Sequence, residues 1–417
     1  MKNFYAFTKK KYSYFILFAA AICGASIPIS TAAQNIGAAL LIIYFITKLN
    51  NLYLFKITII QPFSLAGIAL GVALVLGIFS TTASQSEAWR FLIKLRAYYF
   101  IPIFLFVLSE EKIRNVFLIS FAIGTTISII ISILSAFFNY PVFMAVHGDW
   151  FIFRTHTYHN YFAALLCAGI FAGLLSKTIP TPWRAIAIAI FLLGSLDIFF
   201  LVSGRTGQII FLLMLLLIFI QWNWRIGVSI GGLITVTIFL ILINFSNSVN
   251  QGINKAKSDI NLYLNGDSNT PVGLRLEWQK TSIQLIKEKP FFGHGTGSFK
   301  NEYNKKIKFN NKLQESNNPH NDYLWLGVEL GMTGIFLLIS LLLTAAWQGR
   351  NLKKQWRWIL YSMLMGMAIS TLANSFFTDN ITGTSFVLLT CALLNGPKNS
   401  GEYYAKYNYS HPQSKSS

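Results

Sequence analysis

Long apolar runs are the feature that most restricts what this chain can fold into. Several runs extend over about 17–25 residues, which is the length a helix needs to cross a bilayer core. They do not alternate as half-buried strands do, and a bilayer admits only helices or closed barrels. The runs therefore predict an all-α, polytopic membrane protein with about 12 transmembrane helices. The expected spans are 14–30, 33–48, 62–80, 93–108, 115–138, 159–176, 184–202, 207–221, 226–245, 322–346, 358–375 and 383–396.

The composition supports this class and excludes others. Hydrophobic residues make up 54% of the 417 residues and charged residues only 12%, against roughly 25% charged in soluble domains. The net charge of +19 does not form a basic stripe interleaved with aromatics, so we expect no nucleic-acid partner. Cys23, Cys167 and Cys391 lie inside apolar runs, which predicts buried free thiols and no disulfide framework. We expect no cofactor.

The basic residues indicate how the chain is oriented. With a cytoplasmic N-terminus, the segments assigned to the inside carry 18 Lys and Arg, and the short outer loops carry 5. Cytoplasmic loops are enriched in such residues, so both termini are expected to be cytoplasmic. A cleaved signal peptide is the alternative for the first run. We favour an uncleaved span because a second apolar run follows almost immediately.

This orientation places one large loop, residues 246–321, on the outside. It separates spans 1–9 (residues 1–245) from spans 10–12 (322–396), and a tail (397–417) is expected to be disordered. The loop's Asn, Lys and Ser content is typical of a linker, but two stretches differ. Thr270-Pro271 is a good helix start and predicts a helix over 272–288. A glycine-rich tight turn follows at 293–297.

On the 272–288 helix, we expect Arg275, Gln279 and Ser282 to share one face. A neighbouring apolar stripe is expected to pack against the membrane domain, so that this amphipathic helix lies over the outer face. The stripe consists of Leu274, Trp278, Thr281 and Leu285.

Ionisable residues near the membrane are functional candidates, because their burial in lipid is costly. In the predicted topology Asp197, Arg205, Glu329 and Asp379 all cluster toward the outer face, Arg205 and Asp379 in outer connections and the other two within spans. A secondary transporter would more often place such groups near the midplane, in repeated halves. The pattern favours a site that opens to the outside.

Two arginines are the strongest anion-binding candidates. Arg205 is flanked by glycines at the outer boundary, and Arg275 lies on the predicted amphipathic helix, where it would point at a lipid pyrophosphate. A guanidinium offers a fixed fork of donors that suits phosphate. The alternatives are an arginine snorkelling to headgroups and an ordinary surface arginine.

His320 is the candidate base. Residues 318–322 resemble a cap, a first-turn proline and the opening of the next span, with Asn321 and Asp322 beside the histidine. A histidine in a first turn feels the positive end of the helix dipole, so we expect it to be neutral. A structural histidine is the alternative. His156, His159, His294 and His320 could in principle bind metal, but their spacing matches no recognised ligand pattern.

The outer segment 86–98 interleaves Arg90, Lys94 and Arg96 with Trp89, Phe91, Leu92 and Leu95. Such a basic amphipathic segment suits the membrane interface. It could bind an anionic lipid headgroup specifically, or it could simply anchor the loop.

The ordered motifs resemble the bacterial O-antigen ligase and polymerase superfamily. The resemblance covers roughly residues 200–340 and rests on 203–207 (SGRTG), 275–278 (RLEW), 289–295 (KPFFGHG), 319–324 (PHNDYL) and 329–334 (ELGMTG). It implies a metal-independent, inverting membrane glycosyltransferase of the GT-C type in the bacterial inner membrane. Such an enzyme takes a glycan from undecaprenyl pyrophosphate at the periplasmic face.

The resemblance also assigns roles by matching position. Arg205 and Arg275 would hold the pyrophosphate and stabilise the leaving group, and His320 would activate the acceptor hydroxyl. Arg90, Lys94 and Arg96 are expected to assist pyrophosphate binding. Asn321, Asp322, His294 and Glu329 are candidate supporting residues.

The superfamily serves three kinds of acceptor, and the sequence favours the first. They are the lipid A core (ligase), a growing chain (polymerase) and a protein hydroxyl (O-oligosaccharyltransferase). The modest loop favours a ligase by analogy. Ligases often carry a second histidine before the His-Asn pair, where this chain has Asn318-Pro319. A lipid-linked oligosaccharide transporter is the alternative from another class.

Overall fold

The computed structural model describes residues 2–48, 52–308 and 314–399. Helices form throughout this part of the chain, which confirms the all-α prediction. In chain order they are α1 (Lys2–Ser26), α2 (Thr31–Ile46), α3 (Leu52–Ile59), α4 (Pro62–Ile78), α5 (Gln85–Lys94), α6 (Arg96–Tyr99), α7 (Ile101–Val107), α8 (Glu111–Phe137), α9 (His156–Leu175) and α10 (Thr181–Leu196). They continue as α11 (Arg205–Trp222), α12 (Trp224–Ile226), α13 (Gly232–Phe245), α14 (Asn247–Leu264), α15 (Pro271–Glu288), α16 (Phe299–Ile307), α17 (Asp322–Gly349), α18 (Lys354–Ala373) and α19 (Asn380–Leu394).

Six helical stretches among the described residues are long and apolar enough to cross a membrane: Glu111–Phe137, His156–Leu175, Thr181–Leu201, Arg205–Trp222, Trp224–Phe245 and Asp322–Gly349. Four shorter apolar helices accompany them: Tyr14–Ser26, Thr31–Ile46, Pro62–Ile78 and Asn380–Leu394. These helices support the membrane class, while the total of 12 spans stays a prediction.

The expected span 93–108 is not one continuous helix. Leu95 and Phe100 both have φ −92 with ψ near zero, and these breaks separate α5, α6 and α7. Pro102 contributes because it has no N–H to continue the hydrogen-bond ladder. The segment predicted as one helical span therefore consists of short helices, and the breaks leave α5 as a separate helix.

The bundle core is built from the buried apolar faces of these helices, with α1 packed on α8, α11 on α9 and α18, and α4 on α17. Cys23, Cys167 and Cys391 are buried free thiols, as predicted. We call the side formed by α14–α16 and the connections 79–84, 139–155, 202–204 and 374–379 the loop face. Of the tail expected to be disordered, residues 400–417 lie outside the described residues, and Lys398 forms an isolated bridge with Leu352.

Of two helices on the loop face, α15 and α14, the sequence predicted only the first. α15 confirms the predicted helix, because Thr270 caps it through a hydrogen bond from the Gly273 amide and Pro271 is its first residue. The expected apolar stripe packs inward, with Thr281 and Leu285 buried. Ser282, expected to share the Arg275 face, is also buried.

α14 was not predicted. Its polar composition hid a helical pattern of apolar residues at Val249, Ile253 and Ala256, spaced by four and three. Ser246 caps this helix by accepting from the Val249 amide.

The glycine-rich turn lies inside a break of α17. At Gly331 the backbone has φ 66 and ψ −154, and the loop 290–297 fills the gap. The Met332 amide donates to the Pro290 carbonyl, and the His294 and Gly295 amides donate to the Val328 and Glu329 carbonyls. A Cβ at Gly331 would lie 2.5 Å from the Phe291 carbonyl carbon, so only glycine fits this junction.

Candidate active site

A cationic site forms on the loop face, where the first turn of α11, the α15 helix, the end of α5 and the connection before α17 meet. These elements bring Arg205, Arg275, Lys94 and His320 into one neighbourhood. Arg275 and Lys94 lie close enough to His320 for their charges to lower its pKa, and Arg205 lies close enough to Arg275 to lower the pKa of that guanidinium. Residues far apart in the sequence therefore form one site.

Arg205 begins α11 and is held in place by α14. Its Nη1 donates to the Gly252 carbonyl at 2.9 Å. A cavity of about 370 Å³ lies beside it, lined mainly by apolar side chains of α11, α13, α14 and α18, with Thr206 and Gln208 also in the lining. Arg205 is therefore a charged group at the edge of an apolar cavity.

A polar frame fixes the connection that precedes Arg205. Asp149 accepts hydrogen bonds from the Ser203 amide at 2.9 Å and the Ser203 hydroxyl at 2.6 Å. The buried Asn160 amide donates to the carbonyls of Val202 and Gly204 at 3.3 and 3.1 Å. Sequence reasoning missed Asp149 and Asn160, because nothing in their local sequence relates them to a segment about 50 positions away.

Arg275 projects from the first turns of α15 and is half-buried. Burial, and then the nearby Arg205 guanidinium, lower its pKa from the ordinary value. It makes no hydrogen bond or ion pair with any residue that the structure describes. A partly buried guanidinium without a protein partner is costly, which is expected of a group that binds an anion.

His320 lies on the Trp278 ring, with centroids 5.1 Å apart and ring planes at 25°. Burial, then the charges of Arg275 and Lys94, lower its pKa to about 4. Its φ is +53, a left-handed conformation, and its amide donates to the Asn318 Oδ1 at 2.8 Å. Its ring makes no hydrogen bond with any described residue. The imidazole is therefore neutral and open to a ligand.

The expected reason for the neutral state of His320 was wrong. α17 begins at Asp322 with Asn321 as its N-cap, so His320 lies just outside the helix rather than in its first turn. Burial and neighbouring cations lower its pKa instead of the helix dipole. Asn321 Oδ1 accepts from the Leu324 amide at 3.1 Å.

Asp322 ties the start of α17 to the connection before α19. Its carboxylate accepts from the amides of Phe377 and Thr378 and from the Thr378 hydroxyl, at 2.6, 3.2 and 2.6 Å. These bonds occupy both carboxylate oxygens. Asp322 therefore helps to position the connection that precedes α17 and carries His320.

The three basic residues of segment 86–98 lie in different surroundings. The Lys94 Nζ lies 4.6 Å from the Trp325 ring centroid, near His320. Arg90 is exposed and lines a second cavity, next to Lys94. Arg96 donates to the Ile93 carbonyl and the Asn35 side chain, both at 3.0 Å. The structure therefore brings Lys94, but not Arg96, to the histidine.

Two expected supporting residues hold the 290–297 loop. The buried Glu329 carboxylate accepts from the amides of Ser298 and Phe299 at 3.0 and 3.1 Å and from the Trp325 indole at 3.2 Å. The His294 ring bonds the Leu285 carbonyl at 3.0 Å. The contacts of both side chains are with the fold itself.

The remaining acidic candidates have local partners. Asp197, at the start of a π-helical turn, is fully buried with His159 Nε2 at 2.7 Å and the Ser132 hydroxyl at 2.5 Å. Asp379 caps α19 and bonds the Tyr158 hydroxyl.

A metal site needs several ligands in one place. Within the described ranges, no three His, Cys, Asp or Glu side chains are grouped so as to hold a metal ion. His156 is paired with Asp149 at 3.2 Å, His159 with Asp197, and His294 lies beside the Leu285 carbonyl.

The fold and the site together define the class, a polytopic helical membrane protein in which two arginines and a neutral histidine lie close together and one of the arginines, Arg205, lines an apolar cavity. Residues 189–339 match the sequence model of a family described as O-antigen ligase. The match includes Arg205, Arg275 and His320 and confirms the resemblance to the O-antigen ligase and polymerase superfamily. The chain is thus similar to membrane glycosyltransferase-like enzymes, ligases and polymerases.

A stretch of 126 residues is also 29% identical to an uncharacterized protein of Haemophilus influenzae. The stretch covers 29% of this chain and 32% of that protein. The chain therefore spans about a third of the length of the curated relative it matches.

Proposed function

We propose that this protein is an O-antigen ligase, which transfers a glycan from undecaprenyl pyrophosphate to the lipid A core. The observation that carries the proposal is the placement of the Arg275 guanidinium, which has no partner among the described residues, between Arg205 and His320. Two cations suit a pyrophosphate, and a neutral imidazole beside them suits an acceptor hydroxyl. The donor, the acceptor and the GT-C type are parts of the proposal.

In the proposed reaction, the acceptor hydroxyl attacks the anomeric carbon of the donor. A new C–O bond forms as the bond from that carbon to the pyrophosphate oxygen breaks, with inversion at the carbon. The hydroxyl proton passes to His320, and the pyrophosphate leaves with the bonding electron pair. Arg205 and Arg275 stabilise the negative charge that develops on this leaving group. The donor is already activated, so these residues act without a metal or a cofactor.

The cavity beside Arg205 supports a lipid-linked donor. Apolar side chains line it, and Arg205 lies at its edge, so a pyrophosphate at Arg205 would place the first isoprene units in the cavity. Each buried methylene contributes about 0.8 kcal/mol. The rest of the chain would extend into the bilayer between the apolar helices.

The proposed orientation follows the basic residues of the short loops. The loop face would be periplasmic, with both termini in the cytoplasm and the protein in the bacterial inner membrane. Both the donor on its lipid carrier and the lipid A core would then reach the site from the membrane plane.

Deletion of the gene in its host tests the proposed activity. The lipopolysaccharide is separated on a gel, and carrier-linked polymer is measured separately. Loss of the whole ladder, with long polymer retained on the carrier, is the expected result for a ligase. A core bearing one repeat unit would instead identify a polymerase. An unchanged ladder would overturn both activities and direct the search to protein glycosylation or another polysaccharide.

A further inference from the structure

A second cavity opens on the loop face beside the turn that carries His320. It has a volume of about 280 Å³ and lies between α5, α16 and the start of α17, and we call it the α5 cavity. Its lining includes three cations, Arg90, Lys94 and Lys300, and the buried ring of Trp325. The cavity is therefore chemically unlike the apolar one beside Arg205.

Two of the three cations remain for a ligand. Lys300 pairs with Glu87 at 3.1 Å. The other acid in the lining, Glu329, accepts three hydrogen bonds from the fold. Arg90 makes no hydrogen bond or ion pair within the described part of the chain. Lys94 lies over the Trp325 ring at 4.6 Å, and the Asp379 and Asp322 carboxylates attract it without forming an ion pair among the described residues. Arg90 and Lys94 can thus bind one anionic group together.

The turn 318–320 separates this cavity from the two arginines. Asn318 lines the α5 cavity and also accepts the His320 amide hydrogen. Lys94 influences His320 from the cavity, and Arg275 influences it from the side of Arg205. His320 therefore has Arg275 and, beyond it, Arg205 with its apolar cavity on one side, and the polar α5 cavity with Arg90 and Lys94 on the other.

We propose that the α5 cavity binds the acceptor glycan through an anionic substituent, a phosphate or a carboxylate near the accepting hydroxyl. This rests on the proposed function, since an inverting displacement requires the acceptor and the leaving pyrophosphate on opposite sides of the anomeric carbon. The buried aromatic rings below the cations lower the local dielectric, which strengthens an ionic contact. Arg90 and Lys94, expected as pyrophosphate ligands, become acceptor ligands.

Direct binding tests the cavity without any transfer reaction. Mannose 6-phosphate, glucuronate, mannose and inorganic phosphate are titrated into the full-length protein in nanodiscs by calorimetry. At least one anionic sugar should bind at least tenfold more tightly than mannose. Arg90→Gln should weaken the binding of that sugar about tenfold, which corresponds to about 1.4 kcal/mol. Comparison of mannose 6-phosphate with glucuronate distinguishes a phosphate from a carboxylate, and a preference for either supports the proposal.

The matched control is Arg225→Gln, because Arg225 is also exposed and lies over the ring of a tryptophan, Trp224, away from the cavity. This variant should keep the binding constants of the unaltered protein. Equal affinity for mannose and both anionic sugars would overturn the proposal. So would inorganic phosphate that binds as tightly as the anionic sugars, because the sugar would then contribute nothing.

Transfer kinetics then distinguish the acceptor side from the donor side. Arg90→Gln should lower kcat/KM for the acceptor about tenfold and leave the donor KM unaltered. Removal of the acceptor's phosphates or reduction of its carboxylates should have the same effect on the unaltered enzyme and little further effect on the variant. A raised donor KM would overturn the assignment. If no transfer occurs at all, the proposed function fails. The binding titrations still decide whether the α5 cavity binds an anionic sugar.

Discussion

Two neighbouring regions of the loop face both carry motifs that stand out in the sequence. Their polar groups differ in whether they form hydrogen bonds with the described part of the protein. In the 290–297 loop and the α17 break, His294 and Glu329 bond groups of the fold. In the site, the Arg275 guanidinium and the His320 ring have no hydrogen-bond partner among the described residues. Because unpaired polar groups are costly to bury, we infer that the second region binds a ligand, whereas the polar groups of the first stabilise the fold.

The largest expected effect on the rate of transfer comes from loss of the proposed base, His320. Asn tolerates a positive φ better than most residues, so His320→Asn keeps the backbone conformation while it removes the imidazole. We expect kcat to fall by about 10²–10⁴, as measured by transfer from a carrier-linked donor to purified core. Donor binding and membrane insertion should stay unaltered. A variant that retains more than about a tenth of the activity would remove His320 from the role of base.

Loss of Arg275, which has no partner in the part of the chain that the structure describes, should have the next largest effect. Arg275→Ala removes one of two cations from the developing pyrophosphate charge, which we expect to lower kcat/KM about 10²–10³-fold. Arg275→Lys should recover only part of this loss, because lysine keeps the charge without the planar fork. Arg225→Ala is the control for a general effect of charge removal. Near-normal transfer by Arg275→Ala would mean that this side chain is an ordinary surface arginine and has no role in pyrophosphate binding.

The pH dependence should show the electrostatic contact between the cations and His320. Protonated His320 cannot accept a proton, so activity should fall as pH drops through its pKa of about 4, and kcat/KM should be nearly constant above pH 5. Bound pyrophosphate offsets the positive charge of Arg275, which should raise the pKa of His320. The fall of kcat at acidic pH should therefore occur at higher pH than the fall of kcat/KM. Steady-state rates measured between pH 3.5 and 8 test this order. Coincident limbs would contradict the placement of the pyrophosphate beside His320.

The contrast between the regions also explains what the sequence could predict. The start of α15 depends on local groups, since Thr270 and Pro271 specify the cap and the first residue. The start of α17 does not, because Asn318 and Asn321 are both acceptable caps. The choice depends on Asp322, whose bonds to Phe377 and Thr378 lie more than 50 positions away.

The site was predictable as a set of residue types and not as a geometry. Arg205, Arg275 and His320 are the types that anion binding and proton transfer require, and the ordered motifs brought them to notice. Asp149 and Asn160, which hold the connection before Arg205, act through tertiary contacts. The division of Arg90, Lys94 and Arg96 among different surroundings depends on the helix breaks at Leu95 and Phe100, which hydropathy does not reveal.

The smallest expected effect on catalysis comes from the first region, where Glu329 is the sharpest probe. In Glu329→Gln the amide NH₂ of glutamine would face a backbone N–H, either that of Ser298 or that of Phe299, so at least one donor loses its acceptor. Such a loss costs about 1–3 kcal/mol, and the thermal midpoint of the purified protein should drop. Glu329 also lines the α5 cavity, so transfer is measured at saturating acceptor, where kcat of the folded fraction should stay within about twofold of the unaltered enzyme, which is less than 0.5 kcal/mol in the barrier. If instead kcat fell a hundredfold with no change in thermal stability, Glu329 would belong to the chemistry, and the distinction between the two regions would fail.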